Sequence, residues 1–284
     1  MSLRAPLIVI GAAATLLAVG VAAPASAAPS CVVGPKAECA NASLNWQVAA
    51  HGNLAGADFS GAKLKGADLR GANLKGADFS GATLDYADLT GANLAGATFA
   101  GASVSNATLA GVTLTKADLR NADFTNSSLY GSDLTGANLA GSNRPSPPPP
   151  FAPATKPRPT TNLTNVNLYG ATLNGANLTN VNLDNAFLSG AFALGTNFTG
   201  VMGYGATFNG AILDGARFPN AFLLGTFFNA AALKGASFEN ANLSYSSMLG
   251  ASLQGGNLTG ATTAGVTWGN TTCPNGTTQA TPCA

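Results

Sequence analysis

Residues 52–81 read GNLAG-ADFSG-AKLKG-ADLRG-ANLKG-ADFSG, and the spacing of their large apolar residues decides the fold. From Leu54 to Leu139 every fifth position is Leu, Phe or, once, Val104. Two residues before each of them the side chain is small, mostly Ala; one residue before, it is mostly Asp, Asn, Thr or Ser. Five steps turn an α-helix through about 500°, so successive large residues drift around the axis and no stripe forms. On a flat strand an odd step changes face every time. A chain that bends once per unit satisfies the pattern. If each bend is near a right angle, four units close a coil of about twenty residues, with the large and the small residue both directed at a narrow axis. Gly recurs at the unit ends, where a tight bend needs it.

The period resumes at Leu163 and runs to Trp268, with Ala193, Gly203 and Thr263 as weak central positions. Leu139 and Leu163 are 24 residues apart, which is not a multiple of five. That phase break predicts two separately stacked arrays, not one coil running through the junction. Between them, residues 142–160 read SNRPSPPPPFAPATKPRPT and hold eight of the chain's 15 prolines. Such a run favours an extended polyproline conformation and acts as a semi-rigid spacer. Arg144, Lys156 and Arg158 make it basic.

Tandem units such as ADLRG, ANLKG, ADFSG and ANLTG resemble the pentapeptide-repeat family. The resemblance implies an all-β fold, a right-handed quadrilateral β-helix, and adds the handedness that period alone does not give. It brings no shared catalytic residues. Some members of that family resemble B-form DNA in shape and charge and bind DNA gyrase.

The ends carry different signals. Arg4, the apolar stretch Leu7 to Val21 and Ala25-Ser26-Ala27 form a signal-peptide layout, with cleavage expected after Ala27. No second membrane-spanning candidate follows. The four cysteines allow three pairings. Cys31–Cys39 and Cys273–Cys283 are favoured, because each closes a short loop at one end of the chain. The expected organisation is a signal peptide at 1–27, an N-terminal cap at 28–51 including Trp46, array one at 52–141, the linker at 142–160, array two at 161–270, and a C-terminal cap at 271–284.

Catalysis finds no constellation. His51 is the only imidazole, and no phosphate-cradling or dinucleotide motif occurs. No cofactor or metal site is expected. Residues twenty apart share a column, so Asp58, Asp78 and Asp118 align, as do Asp68 and Asp88; they read as a solvated outer ladder. Only 9% of residues are charged and the net charge is +1, too little basic surface for a nucleic-acid binder. Lys63, Lys65, Arg70 and Lys75 offset the acids, which argues against a DNA mimic.

Array two breaks the pattern on its outside. The position before the central residue holds Phe187, Phe192, Met202, Ile212, Phe222 and Phe227, which are expected to form one apolar interaction patch. The expected function is an exported, non-catalytic scaffold, secreted or envelope-associated. It would bind an unidentified protein or cell-envelope partner and self-associate through array two. The alternative is a gyrase-binding DNA mimic.

Overall fold

The computed structural model describes residues 31–141 and 161–283; the expected signal segment and the proline-rich linker lie outside them. The described chain winds into coils of twenty residues, each making four parallel bridges to the next. One ladder runs Glu38, Asp58, Asp78, Thr98, Asp118, Asn138, Asn177, Asn197, Arg217, Ser237 and Asn257 and so counts eleven coils. At about 4.8 Å per layer the rod is roughly 50 Å long. We number the faces by the first coil: face 1 begins at Glu38, face 2 at Ser43, face 3 at Val48 and face 4 at Asn53.

Backbone pairing explains why the small residue precedes the large one by two. The Leu54 N–H donates to the Asn73 carbonyl (2.7 Å), and the Asn73 N–H returns to the Gly52 carbonyl (2.9 Å). The central and small residues of each unit thus face inward in a ladder that pairs with the next coil. Leu54, Ala57, Phe59 and nearly all their equivalents are buried, except in the last coil, where Leu258, Ala261 and Val266 are half-buried. Where the small residue is polar, it mostly finds a partner one coil back; the Ser246 hydroxyl is an exception. Ser132 Oγ donates to the Leu109 carbonyl (2.7 Å), Thr196 to that of Leu173 (2.7 Å) and Thr226 to that of Gly203 (2.8 Å). These bonds satisfy hydroxyls that the narrow interior would otherwise leave without partners.

The corners need a left-handed residue, and the sequence supplies Gly or Asn at most of them. Asp and Asn recur one position before the central residue because they close the bend. Asp58 Oδ1 accepts the Ser60 N–H at 2.8 Å, and Asp78 accepts that of Ser80 at 2.8 Å. The outer ladder is therefore a set of Asx turns and not merely a solvated face.

Two expectations are corrected here. First, the arrays are not separately stacked. The Phe124 N–H donates to Asn162 (2.8 Å), Leu139 to Asn177 (2.8 Å) and Gly141 to Thr179 (2.8 Å), so the ladder crosses the junction unbroken. The reason is arithmetic: residues 142–160 number nineteen, and 24 less nineteen is one repeat. The sixth coil is closed jointly by residues 137–141 and 161–175. Second, the N-terminal cap is shorter than 28–51. Regular bridging starts at Glu38, and Cys39 and Leu44 already point inward. Trp46 covers no end; it sits at a corner with φ 58°, largely exposed, against Gly66 of the next coil.

At one weak central position, Gly203, the neighbouring coil supplies the missing volume. The eighth coil opposes Phe198 to Phe208 across the axis, ring edge to face at 5.8 Å. Leu213 is buried in the same coil, and the fourth central slot, between the two rings in sequence, is Gly203. Leu223 from the next coil fills the space over Gly203, its Cδ2 3.1 Å from where a Cβ would stand.

Both disulfides form as expected, Cys31–Cys39 and Cys273–Cys283. Cys39 and Cys273 are inward residues of the first and last coils. Each therefore ties an end segment to the core. At the C-terminus β1 (Thr271–Thr272) pairs antiparallel with β2 (Thr278–Gln279), and Trp268 fills the last coil's interior.

Gly66 tests the corner rule. Its φ is 64°, and a Cβ there would meet the Trp46 ring. Gly76 has φ 66° with nothing within 4 Å. Gly76→Ala is expected to cost about 1–2 kcal/mol, the left-handed penalty for an L-residue. Gly66→Ala is expected to cost more and to shift Trp46 fluorescence. Urea midpoints of the two variants measure the difference.

Candidate functional site

The six outward apolar residues are placed as the columns predict, but not on one plane. Met202 and Phe222 are successive on face 2. Phe187 and Phe227 are on face 3 with Thr207 between them, and Phe192 and Ile212 are successive on face 4. Faces 2 and 4 are half a coil apart, so their side chains point in opposite directions. The expected single patch is a band wrapping three sides of the seventh to ninth coils. Phe187 (53% exposed), Phe192 (45%), Phe222 (36%) and Phe227 (43%) all reach solvent.

The corners add side chains that the sequence reading did not single out. Tyr130 and Tyr169 stand in the bend after face 3 on successive coils, rings parallel within 5° and 5.8 Å apart. Both are half-exposed. They and Phe187 line a shallow trough of about 440 Å³ with Asn165, Asn167 and Ser189. Its far edge is an amide ladder: Asn165 Nδ2 donates to Asn126 (3.0 Å), and Asn126 to Asn106 (3.4 Å). Ser189 follows Tyr169 in the corner column, and Gly190 beside it keeps that edge low, the Tyr169 ring lying 4.0 Å from where a Cβ would be. The result is an apolar floor between a tyrosine wall and an amide wall. Tyr130 and Tyr169 are 39 residues apart, so a twenty-residue column count hides their contact until the nineteen-residue insertion is removed.

The acidic columns are placed as expected, and their charge is largely engaged. Arg70 donates to both Asp68 oxygens (2.9 and 2.7 Å), and its Nε lies 3.7 Å from Asp88. Arg120 grips Asp118 at 2.8 and 2.6 Å. Hydrogen bonds from these guanidiniums hold both carboxyls below the ordinary range, and Ser60 does the same for Asp58. A carboxyl lowered in the folded chain stabilises it above its unfolded value and loses that contribution as pH falls through the folded one. These exposed pairs therefore contribute little near neutrality and lose it in acid. His51 occupies a corner with φ 58°, its ring against Gly71. Among the described residues no group of three His, Cys, Asp or Glu is placed to hold a metal ion. No helix among them is long and apolar enough to cross a membrane.

A family model described as pentapeptide repeats matches residues 37–76, 72–111, 105–141, 161–200, 188–220 and 223–260, in eight copies. Among solved structures, HetL, a pentapeptide repeat protein involved in heterocyst differentiation regulation from the cyanobacterium Nostoc sp. strain PCC 7120, aligns at 26% identity. That alignment covers 84% of this chain and 91% of HetL, with a TM-score of 0.49. QnrB1, a plasmid-mediated fluoroquinolone resistance protein, aligns at 17% identity over 73% of this chain and 84% of its own, with a TM-score of 0.30. A pentapeptide repeat protein of the Arabidopsis thaliana thylakoid lumen is 35% identical over 36% of this chain and 65% of its own, with a TM-score of 0.17. No curated protein sequence matches the chain.

Proposed function

This chain belongs to the pentapeptide-repeat family, and from that premise we propose that it is an exported, non-catalytic scaffold that binds a protein or cell-envelope partner on the outside of its rod. The observation that carries this reading is the trough of Tyr130, Tyr169 and Phe187 on face 3. Three half-exposed rings beside an amide-bearing edge suit a contact that buries apolar area and orients it with hydrogen bonds. Phe192 and Phe227 extend the apolar surface around and along the rod. Secretion supports a partner outside the cell, and the signal layout of residues 1–27 supports secretion.

The test has two arms. Mass spectrometry of culture supernatant is expected to find a chain beginning at Ala28 with all four cysteines resistant to alkylation. A full-length cellular product would remove the export reading. The triple variant Tyr130→Ser, Tyr169→Ser and Phe187→Ser is expected to keep the native circular dichroism and lose at least about tenfold in affinity for purified envelope fractions, since aromatic anchors dominate such contacts. Equal retention of both proteins would sink the binding reading. In a gyrase supercoiling assay the mature protein is expected to be inert, because Arg70 and Arg120 offset the acidic columns.

A further inference from the structure

Face 2 carries an apolar surface separate from the trough. Met202 and Phe222 are stacked on it, Tyr204 and Leu224 stand in the bend that follows, and Pro219 stands in the bend before Phe222. Phe222 and Tyr204 are exposed enough for contact. Its position relative to the proline-rich segment suggests an occupant. Gly141 ends the bend from face 1 to face 2 in the sixth coil, and the chain resumes at Thr161 at the start of face 2 in that same coil. The nineteen residues between them are therefore flanked on both sides by the edge of face 2 midway along the rod.

We propose that Pro147-Pro148-Pro149-Pro150-Phe151-Ala152-Pro153 lies against face 2, with Phe151 on the surface formed by Met202, Tyr204 and Phe222. Reach permits it. Met202 is two coils above Asn162 and Phe222 three, or about 10 and 14 Å at 4.8 Å per layer. Phe151 is ten residues from each root, and an extended proline-rich strand of that length spans about 31 Å. Recognition permits it as well. A polyproline strand is already ordered, loses little entropy on docking, and fits surfaces lined by aromatic rings. Charge agrees. Asp123 lies on face 2 one coil below the return point, and Asp184 lies in the adjoining bend one coil above it. Lys156 and Arg158, near the returning end, are close enough along the chain to approach both.

The inference does not depend on the trough or its partner, which use face 3. Trypsin is a poor probe, because Arg144, Lys156 and Arg158 each precede a proline. Chymotrypsin acts on the bond Phe151–Ala152, which docking would shelter. In the mature oxidised chain that bond is expected to be cut slowly. In the variant Met202→Ser with Phe222→Ser it should be cut at least about tenfold faster, as cleavage follows the open population. Both substitutions are at outward positions, and circular dichroism checks the fold. The triple trough variant should be cut at the wild-type rate, which separates this test from that of the trough. Equal rates in wild type and the face 2 variant, or wild-type cleavage as fast as in a free peptide of residues 142–160, overturn the proposal. Protection that rises with protein concentration, with a dimer in sedimentation, also overturns it and assigns face 2 to a second copy. A chain with Gly141 joined directly to Thr161 supplies a second reading. It should bind more apolar dye than the full chain, and Phe222→Ser should abolish the gain; unchanged dye binding on joining overturns the proposal.

Discussion

Phe218→Ala is expected to destabilise the chain by about 3–5 kcal/mol, the range for losing a fully buried ring. Phe218 lies in the axis of the ninth coil. It stacks on Phe198 (4.6 Å, 2°) and Phe238 (4.8 Å, 3°) and meets Phe208 and Phe228 edge to face at 6.0 and 5.9 Å. No neighbour is positioned to collapse into the space, because each ring is held by its own stack. The loss should be local: hydrogen exchange is expected to rise in the eighth to tenth coils and little in the first five, since contacts in such a rod are nearest-neighbour. Phe222→Ala, four residues away but outward, should change stability by less than about 1 kcal/mol. Urea denaturation of the two variants decides the matter. A cost for Phe218→Ala below that of Phe222→Ala would contradict the packing described.

Deleting one residue should do more damage than deleting nineteen. Without Gly195 every later residue moves back one slot, and the central slots of the eighth coil receive Thr199, Tyr204, Asn209 and Asp214. An unpaired aspartate and an amide in a dry axis are expensive, and four coils lose their fit. The expected outcome is a loss of more than about 5 kcal/mol, or outright melting of the coils beyond the seventh, given about 1.5–3 kcal/mol for each large side chain left unburied. Removing all of 142–160 leaves every slot occupied as before, and the thermal midpoint should hold or rise. Circular dichroism amplitude and melting of the two deletions give the answer. A joined chain that loses its amplitude would mean that the segment, not the register, holds the halves together.

The inward pattern was legible because it is local: five residues suffice to state it, and Leu54, Ala57 and Phe59 obey it. The continuity across the junction was not, because it depends on where an insertion begins and ends. Gly141 and Thr161 carry no mark that separates a corner from a linker. The columns of the aromatic positions were also legible, since Met202 and Phe222 differ by one coil. Their division among three faces needs the third dimension, which a column count does not contain. Trp46 misled the reading because bulk and apolarity suggest a cover. At a corner the same ring lies flat over the glycine of the next turn. The chemistry of the Tyr130–Tyr169 wall stayed hidden for a related reason, as the insertion displaces one partner from its column.

The two disulfides bear on how the rod comes apart. A one-dimensional stack frays from its terminal turns, which have a neighbour on one side only. Here Cys39 and Cys273, rooted inside the first and last turns, pin a flap over each terminus through loops spanning only 8 and 10 residues. With both bonds intact each flap stays on its own terminal turn, which slows fraying at the tips. Opening in the interior then competes with fraying, and the turn shared by the two chain segments is the place where two ends already meet. Reduction would return the starting points to the tips. The balance between the two starting points thus shifts with the oxidising power of the surroundings.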